Sequence, residues 1–351
     1  MNSPVLKPEL YDVERIRRDF PILSREVYGK PLVYLDNAAS AQKPQAVIDA
    51  VRDAYALEYS NVHRGMHYLS NAATEKFEQS REIARAFLNA ASTDEIIFTS
   101  GATDAINLVV SSFAEPAIKA GDEIILSVLE HHSNIVPWHF LRERHGAVLK
   151  FVPASDEGDL DIEAYEKLFS PRTRMVALTQ MSNAIGTVTP IGNMIRTAHA
   201  RGVPVLVDGC QGAVHLPSDM RDMDCDFYVC SGHKLYGPTG IGLLYGKSEH
   251  LKTMRPYRGG GEMIREVGLD DVTYAAPPHR FEAGTPAIVQ AIGLGAALSY
   301  IESVGREPIA GHEAGLRDYA TRRLSQIDGL RIIGTTKSKG SIISFVMDNA
   351  H

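Results

Sequence analysis

Cysteine is scarce in this chain: 351 residues contain three, Cys210, Cys225 and Cys230. Three thiols make no even disulfide framework and none forms a CxxC metal pair, so a reducing, cytoplasmic setting is expected. Long apolar runs are missing too. No stretch approaches the roughly 20 apolar residues of a membrane helix, and the first residues, MNSPVLKPELYDVERIRRDF, lack a signal peptide's apolar core. Charge of one sign is nowhere concentrated: 36 basic and 43 acidic residues leave a formal net charge of -7, with no basic block and no acidic tail. Nucleic acid and anionic membrane are thereby excluded as expected partners. No internal repeat or low-complexity segment interrupts the chain. What is present, 44% hydrophobic and 23% charged residues, suits a globular protein of enzyme size with a sizeable core.

Apolar runs rich in Val, Ile and Leu recur between stretches of helical periodicity: EIIFTS at 95–100, DEIILSV at 122–128, TRMVALTQ at 173–180 and VPVLVDG at 203–209. Buried parallel strands read this way, which predicts an α/β fold with a mainly parallel mixed sheet flanked by helices. Helices are predicted over 44–59, 74–89, 104–113 and 192–201. The glycine-rich stretch 237–261 marks tight turns near a site. A boundary is expected near 284–290, with 31–284 as a large domain and 285–351 as the start of a smaller α+β domain against which segment 1–30 packs. That smaller part should hold a long helix over 287–305, another over 316–327 and the strand SIISFVM at 341–347. Because the chain stops just after this strand, the small domain is expected to be incomplete, with an exposed strand edge and loose packing after about residue 290.

Four groups of residues suggest chemistry. VPVLVDGCQGAVH delivers Asp208 at the carboxyl end of a strand, where open α/β sheets build their binding crevices; alone, it could equally start a turn or cap a helix. Next, the strand DFYVC runs into SGHKLYGPTGIG, which holds Lys234 among small residues. A lysine in a turn is ordinarily a solvated surface residue. One held rigidly with a lowered pKa can instead form an imine with an aldehyde cofactor, and a pyridine ring in that cofactor needs a carboxylate at its nitrogen. Asp208 and Lys234 suit these two roles. Third, IIFTSGATDAIN offers a strand, a turn and a helix start able to cradle phosphate, the plain alternative being a helix capped by Thr103. Ser231 and His233 could donate further hydrogen bonds to the same phosphate. In LEHHSNIVPW, His131 is the candidate to lie flat over the pyridine ring and shuttle protons. A zinc site is the competing reading, since His63 and His67 lie four apart, but no HExxH, CxxC or third carboxylate ligand accompanies them, and no metal is expected.

Together LDNAASAQKP, NVHRGMHYLS, SGATDAIN, LEHHSNIVPW, SNAIGTVTP, VDGCQ, DFYVCSGHKLYGPTGIG and RFEAGTP resemble the class V aminotransferases, within them the SUF-type cysteine desulfurase and selenocysteine lyase branch. The resemblance implies a fold-type I pyridoxal 5'-phosphate enzyme whose large domain binds the cofactor. It makes Lys234 the cofactor-bearing lysine, Asp208 the partner of the ring nitrogen and His131 the stacking residue. Gln211 would bond the phenolic oxygen, and Ala102, Thr103, Ser231 and His233 would form the phosphate cup, with Thr285 reaching in from the second subunit of a homodimer. Asn183 matches a position near the substrate carboxylate, and His63 and Arg64 match the substrate entrance. On residue type alone, Thr285 and Asn183 read as turn and loop residues.

The implied reaction converts L-cysteine to L-alanine, with the sulfur passed as persulfide to an acceptor protein of the SUF system for iron-sulfur cluster assembly. Two alternatives stay open: a selenocysteine lyase, and a cofactor-binding scaffold without turnover. The family's loop cysteine and a later carboxylate-binding arginine fall beyond SIISFVM, where this chain has ended. Cys210, Cys225 and Cys230 do not match the nucleophile and read as small buried hydrophobes.

Overall fold

The computed structural model describes residues 11–348. Its helices are α1 Val13–Arg18, α2 Gln45–Leu57, α3 Tyr68–Phe87, α4 Ala102–Val109, α5 Val136–His145, α6 Ile162–Leu168, α7 Ile191–His199, α8 Gly212–His215, α9 Met220–Met223, α10 Ser248–Thr253, α11 Ile288–Val304 and α12 Arg306–Leu324. Four strand pairs or sheets accompany them: β1 Glu26–Val27 with β2 Lys30–Pro31, a seven-stranded sheet, β10 Ile264–Val267 with β11 Val272–Tyr274, and β12 Leu330–Ile333 with β13 Ser344–Met347.

The large sheet comprises β3 Ile96–Thr99, β4 Glu123–Ser127, β5 Val148–Val152, β6 Thr173–Thr179, β7 Val205–Asp208, β8 Phe227–Ser231 and β9 Gly242–Gly246, in the order β3-β9-β8-β7-β6-β4-β5. Only β9 runs against its neighbours. Alternate side chains feed two apolar layers. Val205 and Val207 join Phe77, Met194 and Leu294 on one face, while Leu206 joins Ile106 and Trp138 on the other. Helices therefore cover both faces, as the continuous apolar strands require. Tight backbone approach matters where β9 passes α4: a Cβ on Gly242 would lie 2.6 Å from Cα of Gly101.

Several expectations need correction at their edges. The helix expected from 74 begins at Tyr68, because the His67 imidazole accepts the backbone N–H of Ser70 and caps it. The one expected from 316 begins at Arg306; Pro308 falls in its first turn, where a missing N–H breaks no helical bond. Loose packing after residue 290 does not hold for α11. Apolar all round, it buries Ile288, Ala291, Leu294, Leu298 and Ile301 in the same core as β7. By packing, this helix belongs with the large sheet. In the hairpin β12–β13, Phe345, Val346 and Met347 are exposed.

The N-terminal part packs on this C-terminal region. Tyr11 stacks on His312 of α12 at 4.7 Å between ring centres, and Tyr300 of α11 donates to Asp19 at 2.9 Å. Among the described residues no single helix is long and apolar enough to cross a membrane.

Candidate active site

A cleft of about 410 Å3 opens at the carboxyl ends of β3, β4, β6, β7 and β8. Nine of the twelve residues singled out from the sequence line it: Ala102, Thr103, His131, Asn183, Asp208, Gln211, Ser231, His233 and Lys234. The strand order explains the convergence. Each of these strands ends on the same rim, so the turn that follows it carries its polar residue into one space.

Asp208 closes β7 and is 3% exposed. Its Oδ1 accepts the backbone N–H of Cys210 at 3.0 Å, and its Oδ2 has no protein donor among the described residues, although Asp208 lines the cleft. The turn after it is held by its absent side chains: a Cβ on Gly209 would fall 1.9 Å from Cζ of Tyr228. Tyr228 cannot retreat. Its hydroxyl is bonded to Gln180 Oε1 at 2.7 Å and to Ser218 Oγ at 2.8 Å. Gln211 donates one amide N–H to the carbonyl of Ala38 at 2.8 Å, which leaves its second N–H available.

Lys234 ends the short 3-10 turn that follows β8. This turn is clamped from outside by the segment Ser40 to Lys43. The backbone N–H of Ala41 and the Lys43 ammonium both donate to the His233 carbonyl, at 3.1 Å each, and His233 Nδ1 meets Ser40 Oγ at 3.2 Å. Burial lowers the pKa of His233, with Lys234 and Lys43 adding to the effect; burial likewise lowers that of Lys43. Burial and the two neighbouring lysines all disfavour the charged form of this imidazole.

Helix α4 starts at Ala102, with Gly101 rather than Thr103 at the cap position and no capping side chain. The N–H of Ala102 donates to Ser231 Oγ at 3.0 Å, so β8 closes the helix end. Among the described residues the N–H of Thr103 finds no partner. An open helix N-terminus with a serine hydroxyl beside it is suited to an anionic group.

His131 leads the turn after β4. Its Nδ1 accepts the backbone N–H of Ser133 at 3.1 Å, which assigns the proton of the neutral ring to Nε2. Burial lowers its pKa; Asp208 opposes this and Lys234 reinforces it. Behind it sits Glu130, buried among Ser127, Asn134 and the backbone of Thr179; burial pushes its carboxyl up to about 8 against these donors.

Three predicted residues lie elsewhere. Thr285 is in a separate hollow with Ser100, Asp104 and Arg258. His63 bonds Glu78 at 2.9 Å, and Arg64 pairs with Glu262 at 2.9 Å. His67 caps α3, its Nδ1 accepting the backbone N–H of Ser70 at 3.3 Å. Lys43, Ser40, Gln180, Tyr228 and Glu130 were not legible as site residues. LDNAASAQKP holds the first two, LEHHSNIVPW holds Glu130 and DFYVCSGHKLYGPTGIG holds Tyr228, whereas Gln180 lies in none of these strings.

The three thiols differ in place but not in character. Cys225 and Cys230 are buried, and Cys210 borders the cleft. Burial raises all three pKa values, that of Cys230 to about 12, and Asp208 raises Cys210 further.

A buried carboxylate with one oxygen facing the cleft, a lysine on a clamped turn, neutral imidazoles and an open helix N-terminus together fit pyridoxal phosphate, and the fold is that of the fold-type I enzymes using it. The aminotransferase class-V family pattern matches residues 33–351. A relative named cysteine desulfurase, from Dickeya dadantii, is 50% identical over all of this chain and 84% of its own length. The crystal structure of the cysteine desulfurase CsdA of Escherichia coli matches with a TM-score of 0.88 at 39% identity, over 96% of this chain and 83% of the other. A third likeness, at 25% identity and a TM-score of 0.82 over 95% of this chain and 86% of the other, is a C-DES mutant with glycine covalently linked to the PLP cofactor. The chain belongs to the class-V aminotransferase family, whose members are pyridoxal-phosphate enzymes.

Proposed function

We propose that this chain is a pyridoxal-phosphate-dependent cysteine desulfurase, taking sulfur from L-cysteine and leaving L-alanine. The observation that carries the reading is the meeting of Lys234, Asp208 and His131 in one cleft beside the α4 N-terminus, in a chain half identical to a cysteine desulfurase. Bound there, the cofactor supplies an electron sink for bond breaking at the substrate's α-carbon. Lys234 would hold it covalently through Nζ and, freed by the substrate amine, move the proton at the α-carbon. Asp208 Oδ2 would keep a proton on the ring nitrogen. The N–H of Thr103 with Ser231 and His233 would hold the phosphate, and the spare N–H of Gln211 the phenolic oxygen. His131 offers a neutral ring for stacking, and Asn183 borders the space left for the substrate carboxylate.

A homodimer is part of the proposal. Thr285 lies away from the cleft of its own subunit, and Leu35, Leu57, Met66 and Tyr68 are exposed. Both features suit a second copy whose Thr285 completes the phosphate cup and whose His63 and Arg64 region borders the entrance. An acceptor protein of the SUF system would receive the sulfur for iron-sulfur cluster assembly.

Sulfur transfer needs a thiolate, and burial keeps the thiols of Cys210, Cys225 and Cys230 protonated at neutral pH. Burial thus makes each of the three a poor sulfur-accepting nucleophile. The second reading is selenocysteine lyase, because selenium leaves easily and need not depend on such a thiol. Incubating the cofactor-loaded chain with each amino acid and measuring alanine tests both. Alanine from cysteine supports the desulfurase, alanine from selenocysteine alone supports the lyase, and alanine from neither contradicts both.

A further inference from the structure

Glu130 has no role in the chemistry above, yet it lies buried one residue before His131. Its surroundings are unusually one-sided. The backbone N–H of Thr179 donates to Oε1 at 3.0 Å, and Asn134 Nδ2 donates to Oε2 at 2.7 Å. A backbone N–H can only donate. Asn134 is equally fixed, because the indole N–H of Trp138 donates to its Oδ1 at 3.1 Å and so aims the NH2 group at the carboxyl. The Ser127 hydroxyl completes the set at Oε1. Both carboxyl oxygens thus meet a group that cannot accept, whichever ionisation state the acid adopts.

The link closes a small ring of chain. Glu130 reaches forward over its own turn to Asn134, while the N–H of Asn134 donates to the His131 carbonyl at 2.8 Å. Through Thr179 the same carboxyl ties the turn to β6, whose Thr179 lies in register with Asp208 of β7. One side chain therefore spans from the turn carrying the imidazole to the strand beside the carboxylate. We propose that Glu130 is a positioning residue for His131, fixing the imidazole over the cofactor cleft relative to Asp208 through its paired acceptor oxygens. The inference rests on the reading of His131 as the residue facing the cofactor ring.

A glutamine at this site is nearly isosteric but brings an NH2 group that must face either Thr179 N–H or Asn134 NH2. Flipping Asn134 would relieve the second clash only by turning its NH2 onto the Trp138 N–H. Removing that indole should set Asn134 free to flip. Glu130→Gln is therefore expected to lower the induced circular dichroism of bound pyridoxal phosphate at least twofold in the wild-type background, and to have little effect in a Trp138→Phe background. A role in packing alone would make the two losses add. In the cofactor-free protein, amide exchange at Ser133 and Asn134 should quicken about tenfold in Glu130→Gln, the loss of one well-made buried bond, and return towards normal in the double variant.

If the wild-type chain forms no chromophore with pyridoxal phosphate, the cofactor reading fails, and the exchange measurement still decides the positioning role. Should Glu130→Gln not fold, Asn134→Ala cuts the same link and must quicken exchange at Ser133. Unchanged exchange and dichroism in a folded Glu130→Gln, or losses that add in the double variant, overturn the proposal.

Discussion

Arg81 grips Glu282 with two prongs, Nη1 to Oε1 at 2.6 Å and Nη2 to Oε2 at 2.9 Å, across 201 residues of sequence. Both side chains are buried, 1% and 6% exposed. Burial works against the guanidinium charge, but Glu282 and Glu78 more than offset it and hold the group firmly protonated. The pair fixes α3 against the segment that leads to Thr285, and the backbone N–H of Phe98 adds a third bond to Glu282. Arg81→Leu leaves a lone buried carboxylate and should cost about 3–5 kcal/mol in urea unfolding. A double Arg81→Leu, Glu282→Leu variant should recover most of that loss. Purely additive losses would mean that the pair is not the source of the effect.

Gly209 tests how closely the site is built. With Tyr228 pinned by Gln180 and Ser218, the added methyl of Gly209→Ala has nowhere to go. Overpacking there is expected to destabilise by about 1–3 kcal/mol and to displace the turn carrying Asp208 and Gln211. Cofactor retained after dialysis should fall with it. Full retention alongside an unchanged thermal midpoint would contradict the tightness of this contact.

Ser231 should act on phosphate and not on the ring. Its Oγ accepts from Ala102 at the start of α4. Ser231→Ala removes the hydroxyl that meets the first N–H of that helix and should weaken binding of pyridoxal phosphate by about ten- to a hundredfold, the scale of one bond to a charged group. Pyridoxal, which lacks the phosphate, should bind the variant and the wild type alike. Equal loss for both ligands would put the phosphate elsewhere.

His131 and His233 make a pH prediction with a definite sign. Burial lowers both pKa values in the fold. The unfolded chain then binds protons that the folded one refuses, so stability is retained above about pH 6.5 and falls as pH drops below it. In the cofactor-free protein, the drop in urea midpoint from pH 7.5 to 5.5 should be larger for wild type than for a His131→Asn, His233→Asn variant. Equal drops would show that these imidazoles are not held neutral.

The large sheet was legible because its strands are buried on both faces and read as unbroken apolar runs, such as VPVLVDG. Shorter or amphipathic elements were harder. Strand β5, with exposed Val148 and Phe151, and helix α5, which has a proline near its start, carry no clean period. At the site, Asp208, Lys234 and His131 were legible because each sits at a strand end in a recognisable string. Gln180 and Tyr228 were not, since they meet across 48 residues of sequence, and neither was Glu130, whose tie to Thr179 forms only in the folded sheet. Thr285 follows the same logic in reverse: residue type suggests a plain turn and only the family likeness points it to the phosphate, from a second subunit, while within one subunit it faces a different hollow.

The central claim concerns one covalent attachment, and borohydride reduction tests it most directly. The purified chain is incubated with pyridoxal phosphate, reduced, digested and mapped by mass spectrometry. A single phosphopyridoxyl adduct on Lys234, lost in Lys234→Ala, is the predicted result. Lys43, whose ammonium also touches the His233 carbonyl, is the internal control; an adduct there instead, or none on either lysine, would contradict the account.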